Sequence, residues 1–245
     1  MDLGLQDHVY VATGGSRGLG RAVAQELTAE GARVVVTGRG ASVEDAARSL
    51  GGAEHAVGIV ADNADPGSAD LVMDAAQRHF GRVDGALVSV GGPPVGAAME
   101  VGDQTWRDSF EATFLGAVRK ARAAARAFTE GGSIAFVLSS SVREPIPGPA
   151  VSNGLRPGLA MVAKTLADEL GTSGVRVNGL LPAYIDTERQ KELEAVTGGK
   201  RPGNALRRSG TPEEFARAAV FLLSPAAAYL TGVMLPVDGG ELRVL

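Results

Sequence analysis

Short runs rich in β-branched residues alternate along this chain with alanine-rich stretches of helical periodicity. The runs lie at 8–13, 33–37, 56–60, 86–90, 133–139, 175–181 and 233–237. Between the first two, Leu19, Val23 and Leu27 fall on one helix face, and Gly31 closes the segment. A strand followed by a helix and then another strand rejoins its sheet through a crossover, which makes the paired strands parallel. The expectation is an α/β chain with a doubly wound, seven-stranded parallel sheet and helices on both faces. No Pro/Gly/Ser-rich linker, charge block or repeat divides the 245 residues, so one domain over 1–245 is expected.

Composition removes several function classes. With 44% hydrophobic and 21% charged residues the chain has the makings of a core. A formal net charge of −4 gives no electrostatic case for nucleic acid or an anionic membrane. There is no cysteine, which excludes disulfides, thiolate nucleophiles and cysteine-based zinc sites. His8, His55 and His79 are scattered without ligand spacing, so no metal site is expected. The opening MDLGLQDHVY has neither a basic nor an apolar leader region, and no run approaches the roughly 18 apolar residues of a membrane span. A cytoplasmic protein is the expectation.

The first run ends in Thr13-Gly14-Gly15-Ser16-Arg17-Gly18-Leu19-Gly20, and a helix follows at once. Gly14 permits a tight turn, Gly18 lets the backbone approach a diphosphate, and Gly20 lets the helix pack closely on the strand. The helix N-terminus then offers unpaired N–H groups to the anion. This strand–loop–helix context makes the chain a Rossmann-type dinucleotide binder. The second run ends Val36-Thr37-Gly38-Arg39, where an NAD site would carry a carboxylate for the ribose hydroxyls. Arg39 and Arg17 instead supply two guanidiniums that can fork onto a 2′-phosphate, which selects NADP. Asp62, after the third run, is positioned to accept the adenine amino group. The segment 185–211 lacks clear periodicity and carries Gly198, Gly199, Pro202 and Gly203, the composition of a lid or binding loop.

By these motifs the chain resembles the short-chain dehydrogenase/reductase family, most nearly its 3-oxoacyl-carrier-protein reductase-like branch. The likeness covers almost the whole length: TGGSRGLG at 13–20, ADNADP at 61–66, RVN at 176–178, LPAYIDT at 181–187, GTPEEFARAAVFLLS at 210–224 and YLTGVMLPVDGG at 229–240. The resemblance implies cofactor contacts by Gly14, Ser16, Arg17, Gly18, Leu19, Gly20, Arg39, Asp62, Asn63, Val90, Gly91, Arg156, Pro182, Ile185 and Thr187. It also implies an Asn, Ser, Tyr and Lys tetrad, of which only the serine is kept. Thr113 stands at the Asn position, seven residues beyond Trp106. Ser152 and Arg156 stand at the Tyr and Lys positions in Ser152-Asn153-Gly154-Leu155-Arg156. Ser139 fits the serine position, with Ser140 and Ser141 as alternatives one or two residues on.

These replacements bear on proton chemistry. A tyrosine hydroxyl titrates near pH 10 unperturbed, within reach of a neighbouring ammonium, whereas a serine hydroxyl is a far weaker acid. Arg156 can bond ribose hydroxyls but stays protonated. Tyr184, Glu144, Arg143 and a water held by Ser139 or Ser152 are the alternative proton donors. Two readings stay open: an NADP-dependent oxidoreductase acting on a small carbonyl or alcohol, and an NADP(H)-binding pseudoenzyme serving as sensor or partner subunit. Non-redox chemistry on the same scaffold is a third. Arg119, Lys120, Arg122 and Arg126, with the Ala/Arg-rich stretch 121–127, read either as a solvated helix face or as a docking surface for an acidic carrier protein. The resemblance further implies a homodimer or homotetramer assembled through helices at 104–128 and 153–170.

Overall fold

A computed structural model describes residues 2–198 and 203–244. Its strands are β1 (Val9–Ala12), β2 (Arg33–Gly38), β3 (Ala56–Val60), β4 (Gly85–Val88), β5 (Gly132–Val137), β6 (Val175–Pro182) and β7 (Met234–Val237). They form one sheet in the order β3-β2-β1-β4-β5-β6-β7, every pair parallel. The helices are α1 (Gly18–Ala29), α2 (Ser42–Ser49), α3 (Ser68–Phe80), α4 (Asp103–Ser109), α5 (Gly116–Ala127), α6 (Ala150–Leu170), α7 (Glu188–Thr197) and α8 (Pro212–Leu223). None of the described helices is long and apolar enough to cross a membrane.

The apolar runs are continuous because both faces of the sheet are covered. Successive strand residues point to opposite sides. Val9 and Val11 of β1 join a core built with α3, α5 and α6, while Tyr10 and Ala12 join another built with α1, α2 and α8. Each fully buried valine or leucine in these layers contributes about 1.5–3 kcal/mol. Arg176 and Asn178 of the RVN motif are braces. Arg176 donates to the carbonyls of Leu222, Leu223, Ser224 and Leu230, and Asn178 bonds Leu230 O and Val233 N. Thr211 opens α8 with a reciprocal capping box to Glu214, and Pro212 sits in its first turn.

Four expectations need correcting. First, β4 and β5 stop at Val88 and Val137, two residues short of the expected ends, because side chains take over the backbone there. Thr13 Oγ1 accepts from Ser89 N at 2.8 Å, and Ser139 Oγ caps a 3-10 turn (Ser140–Val142) by accepting from Ser141 N. Second, the segment 185–211 contains α7, started by the Thr187 side chain accepting from Gln190 N. Its run of charges hides the helix from a search for an apolar stripe. Gly199 and Pro202 lie outside the described residues. Third, the region 104–128 is not one helix: a π-helical turn (Phe110–Leu115) separates α4 from α5. Fourth, Lys120 is no surface cation. It is fully buried, with Nζ 2.6 Å from Ser68 Oγ of α3. Arg119 and Arg126 pair with Glu111 and Asp70, while Ala121, Ala123 and Ala124 face the core.

Candidate active site

The strand order reverses between β1 and β4, and a cleft of about 800 Å³ opens there, beyond the carboxyl ends of the strands. At one wall the glycine loop turns into α1. Gly15 N donates to Thr37 O at 2.8 Å, tying the loop to β2. Two glycines are required on steric grounds. A Cβ at position 20 would stand 2.4 Å from Gly14 O, so α1 packs this closely only without a side chain. Gly18 has a φ of +57°, and its Cβ position faces open space within 4 Å, leaving its backbone free to meet a ligand. The first backbone bond into α1 runs from Arg21 N to Arg17 O, so the N–H groups of Gly18, Leu19 and Gly20 precede the ladder. No acidic residue lies in that first turn to offset its positive pole.

Gly14, Ser16, Arg17, Gly18, Leu19 and Gly20 all line this cleft, as do Arg39, Asp62, Asn63, Val90, Gly91, Pro182, Ile185 and Thr187. Ser16 Oγ lies against Gly38, 2.9 Å from where a Cβ would sit, so the loop and the end of β2 adjoin. Arg17 and Arg39, each next in sequence, are both exposed on that side. Asp62 Oδ1 accepts from Ala64 N at 3.0 Å in a turn that holds the carboxylate at the cleft edge.

Thr113, Ser139, Ser152 and Arg156 converge on the other end of the same cleft. Thr113 is buried in the π-helical turn. Among the three serines, Ser139 and Ser140 line the cleft, whereas Ser141 is absent from its lining and its Oγ is buried without a partner. Ser139 is singled out further. Its Oγ accepts from Ser141 N at 3.1 Å, which leaves its own O–H free to donate into the cleft. Ser152 and Arg156 lie one turn apart on α6, on the face turned to the cleft. Asn153 clamps the adjoining loop through two bonds to the Ile146 backbone, at 2.7 and 3.1 Å.

Arg156 is buried, and its guanidinium braces two strand ends. Nη1 donates to Val137 O at 2.6 Å and Nη2 to Val90 O at 3.3 Å, while Nε is buried with no partner. Burial, reinforced by the Arg189 charge, pulls its pKa down to about 10, which leaves it cationic near neutrality. Of the alternative proton donors, Tyr184 lines the cleft, whereas Glu144 and Arg143 do not; Glu144 instead accepts from Arg243 N. Tyr10 is buried with its hydroxyl 3.4 Å from Leu223 O, and burial pushes its pKa far up. Tyr229 is fully exposed.

The family model described as enoyl-(acyl carrier protein) reductase matches residues 14–241. The chain belongs to the short-chain dehydrogenase/reductase family. Among its relatives, L-rhamnose 1-dehydrogenase (NAD(P)(+)) of Azotobacter vinelandii is 34% identical over 249 residues, covering 96% of this chain and 97% of that protein. The 3-oxoacyl-[acyl-carrier-protein] reductase MabA of Mycobacterium tuberculosis is 33% identical over 234 residues, covering 94% and 91%. A crystal structure of L-sorbose reductase from Gluconobacter frateurii, complexed with NADPH and L-sorbose, superposes with a TM-score of 0.91 at 32% identity over the full length of both chains.

In this member of the short-chain dehydrogenase/reductase family, sequence reasoning missed the residues that α7 brings to the cleft. Glu188 bonds Arg17, and Arg189 Nη2 donates to Pro93 O at 2.6 Å across the cleft. Gly92 passes so close to Arg189 that a Cβ there would lie 2.8 Å from its Nε. The available signal was Thr187 followed by helix formers, an N-cap pattern that does not depend on an apolar stripe.

Proposed function

We propose that this chain is an NADP-dependent oxidoreductase that transfers a hydride between NADP(H) and a carbonyl or hydroxyl group of a small substrate. In this reading Ser152 and Arg156 serve in the positions of the family's tyrosine and lysine. The observation that carries it is the single cleft joining a diphosphate cradle and two arginines at one end to Ser139, Ser152 and Arg156 at the other. The L-sorbose reductase complex with NADPH, similar over its whole length, supports the same choice of cofactor.

The residues fit the cofactor. The amides at the start of α1 would hold the diphosphate, Arg39 and Arg17 the 2′-phosphate, and Asp62 with Asn63 the adenine. The orphaned Nε of Arg156 is a buried donor suited to a ribose hydroxyl. Bound NADPH supplies the hydride. Ser139, its lone pair already taken by Ser141 N, donates its O–H to the substrate oxygen and stabilises the charge that develops there. The cationic Arg156 adds to that field from beneath. Neither group is a good proton donor, so the proton comes from water held by Ser152.

One observation favours the second reading, a cofactor-binding protein without turnover: two donors of Arg156 are committed to backbone carbonyls, which is how a purely architectural arginine would sit. Titration of NADPH fluorescence, followed by a panel of carbonyl compounds, separates the two. Binding with NADPH oxidation by some panel member supports the oxidoreductase; binding without oxidation by any supports the second reading. Absence of NADPH and NADP⁺ binding at millimolar levels overturns both. Assembly through α4, α5 and α6 belongs to this proposal, supported by the apolar surface that Phe110 leaves exposed in the turn between α4 and α5 and Met161 leaves exposed on α6.

A further inference from the structure

Two neighbouring residues of α7 reach opposite walls of the cleft. Arg189 is fastened to Pro93 O, and Glu188 Oε2 accepts from Arg17 Nη1 at 3.2 Å. Arg17 is one of the two guanidiniums available to the cofactor's 2′-phosphate. Arg39, the other, forms no ion pair among the described residues. The two arginines are therefore not equivalent: one is free, and the other is already held by a carboxylate of the chain itself.

We propose that Glu188 is a specificity-determining residue, an internal competitor that occupies Arg17 until the cofactor's 2′-phosphate displaces it. The inference rests on the NADP reading above. Both side chains are largely exposed, Arg17 at 66% and Glu188 at 73%, so the pair is weak enough to be exchanged. A phosphate carrying more charge and three acceptor oxygens outbids one carboxylate for the same guanidinium. Glu188 is not stranded when released. It lies in the first turn of α7, after the Thr187 cap, where the helix dipole favours a negative charge. NADH carries no 2′-phosphate and leaves the Arg17–Glu188 pair undisturbed. Glu188 thus sets how much of the affinity for NADPH is spent on breaking a contact that NADH never touches.

A different account is open to Glu188: general repulsion of any cofactor diphosphate. The two separate in a double-mutant cycle of Glu188→Gln and Arg17→Gln, with dissociation constants for NADPH and NADH measured by calorimetry. Competition predicts that Glu188→Gln tightens NADPH about two- to fivefold, the value of an exposed ion pair, and changes NADH less than about twofold. It predicts further that the gain vanishes in the Arg17→Gln background. An equal gain for NADH, a gain that persists without Arg17, or no gain at all overturns the proposal. If the wild-type chain takes up neither cofactor, the NADP reading fails and this inference falls with it. That case is recognised from the wild-type titrations alone.

Discussion

Lys120 offers the sharpest test of the packing described above. Its side chain has no exposed surface, and burial between α5 and α3 pulls its pKa from the ordinary 10.5 down to about 8, against the attraction of Asp65 and Asp62. At about 1.4 kcal/mol per tenfold change, that displacement corresponds to a cost of about 3 kcal/mol for the charged form. The two aspartates are exposed to solvent, and because their attraction offsets part of the desolvation, screening it does not lower the penalty, which stays at about 3 kcal/mol. The sign follows from proton counting. Between pH 8 and 10.5 the unfolded chain holds the Lys120 proton and the folded chain releases it, so stability rises with pH in that window. Below pH 8 both states are protonated and the penalty is fully present. Lys120→Met removes the charge, keeps the length of the side chain and forfeits the bond to Ser68 Oγ, worth about 1 kcal/mol. The variant is expected to be about 2 kcal/mol more stable than wild type at pH 7, and to lose most of that advantage as pH approaches 9.5. Urea unfolding followed by circular dichroism at pH 7, 8.5 and 9.5 measures both. A variant less stable than wild type at pH 7, by an amount that does not change with pH, refutes the reasoning: Lys120 would then stabilise the fold as a cation.

Arg39→Gln removes a charge-assisted fork and is expected to weaken NADPH binding about 10- to 100-fold with little change for NADH, as read by fluorescence titration. Gly20→Ala drives a methyl group to 2.4 Å from Gly14 O; it should cost about 1–3 kcal/mol in urea unfolding and abolish measurable cofactor binding. Met161 is 67% exposed on α6, and Met161→Glu should shift the sedimentation coefficient towards the monomer while leaving the circular dichroism spectrum unchanged. Retention of the wild-type assembly by this variant would remove α6 from the interface.

The order of elements was readable because the central strands β1, β2, β4, β5 and β6 are buried on both faces and each of the principal packed helices on one, so apolar periodicity reports them directly. The glycine loop was readable for a related reason. Gly20 has no steric alternative, and such positions restrict the residue type one at a time. What escaped reading depends on contacts between distant segments. Lys120 lies in a stretch where arginines face water, and nothing in sequence separates it from them; only the packing of α5 on α3 turns it inward. Helix α7 has no apolar stripe, so its periodicity carries no signal, yet Glu188 and Arg189 reach residues 171 and 96 positions away. Within 139–141 spacing pointed to Ser139 and left a slip of one or two residues open. The cap that Ser139 makes and the burial of Ser141 separate them.

In the proposed reading, Arg156 and Ser152 stand where the family resemblance implies lysine and tyrosine, and the two positions are best understood together. A lysine ammonium has three donors at a single point and cannot reach two strand ends while also serving a ligand. The guanidinium spreads five donors over a plane, and here two of its nitrogens fasten Val137 O and Val90 O while the third remains unspent. Val137 closes β5 and Val90 lies two residues beyond β4, so the brace ties two neighbouring strand ends at the cleft. The same commitment fixes the guanidinium between the two strand ends, and an arginine that stays cationic does not pass a proton to residue 152. On that reading residues 152 and 156 form a coupled exchange, in which a tyrosine's proton donation is given up for a guanidinium brace. In the proposed reading the proton then comes from water held by Ser152, with Tyr184, which also lines the cleft, as the alternative donor.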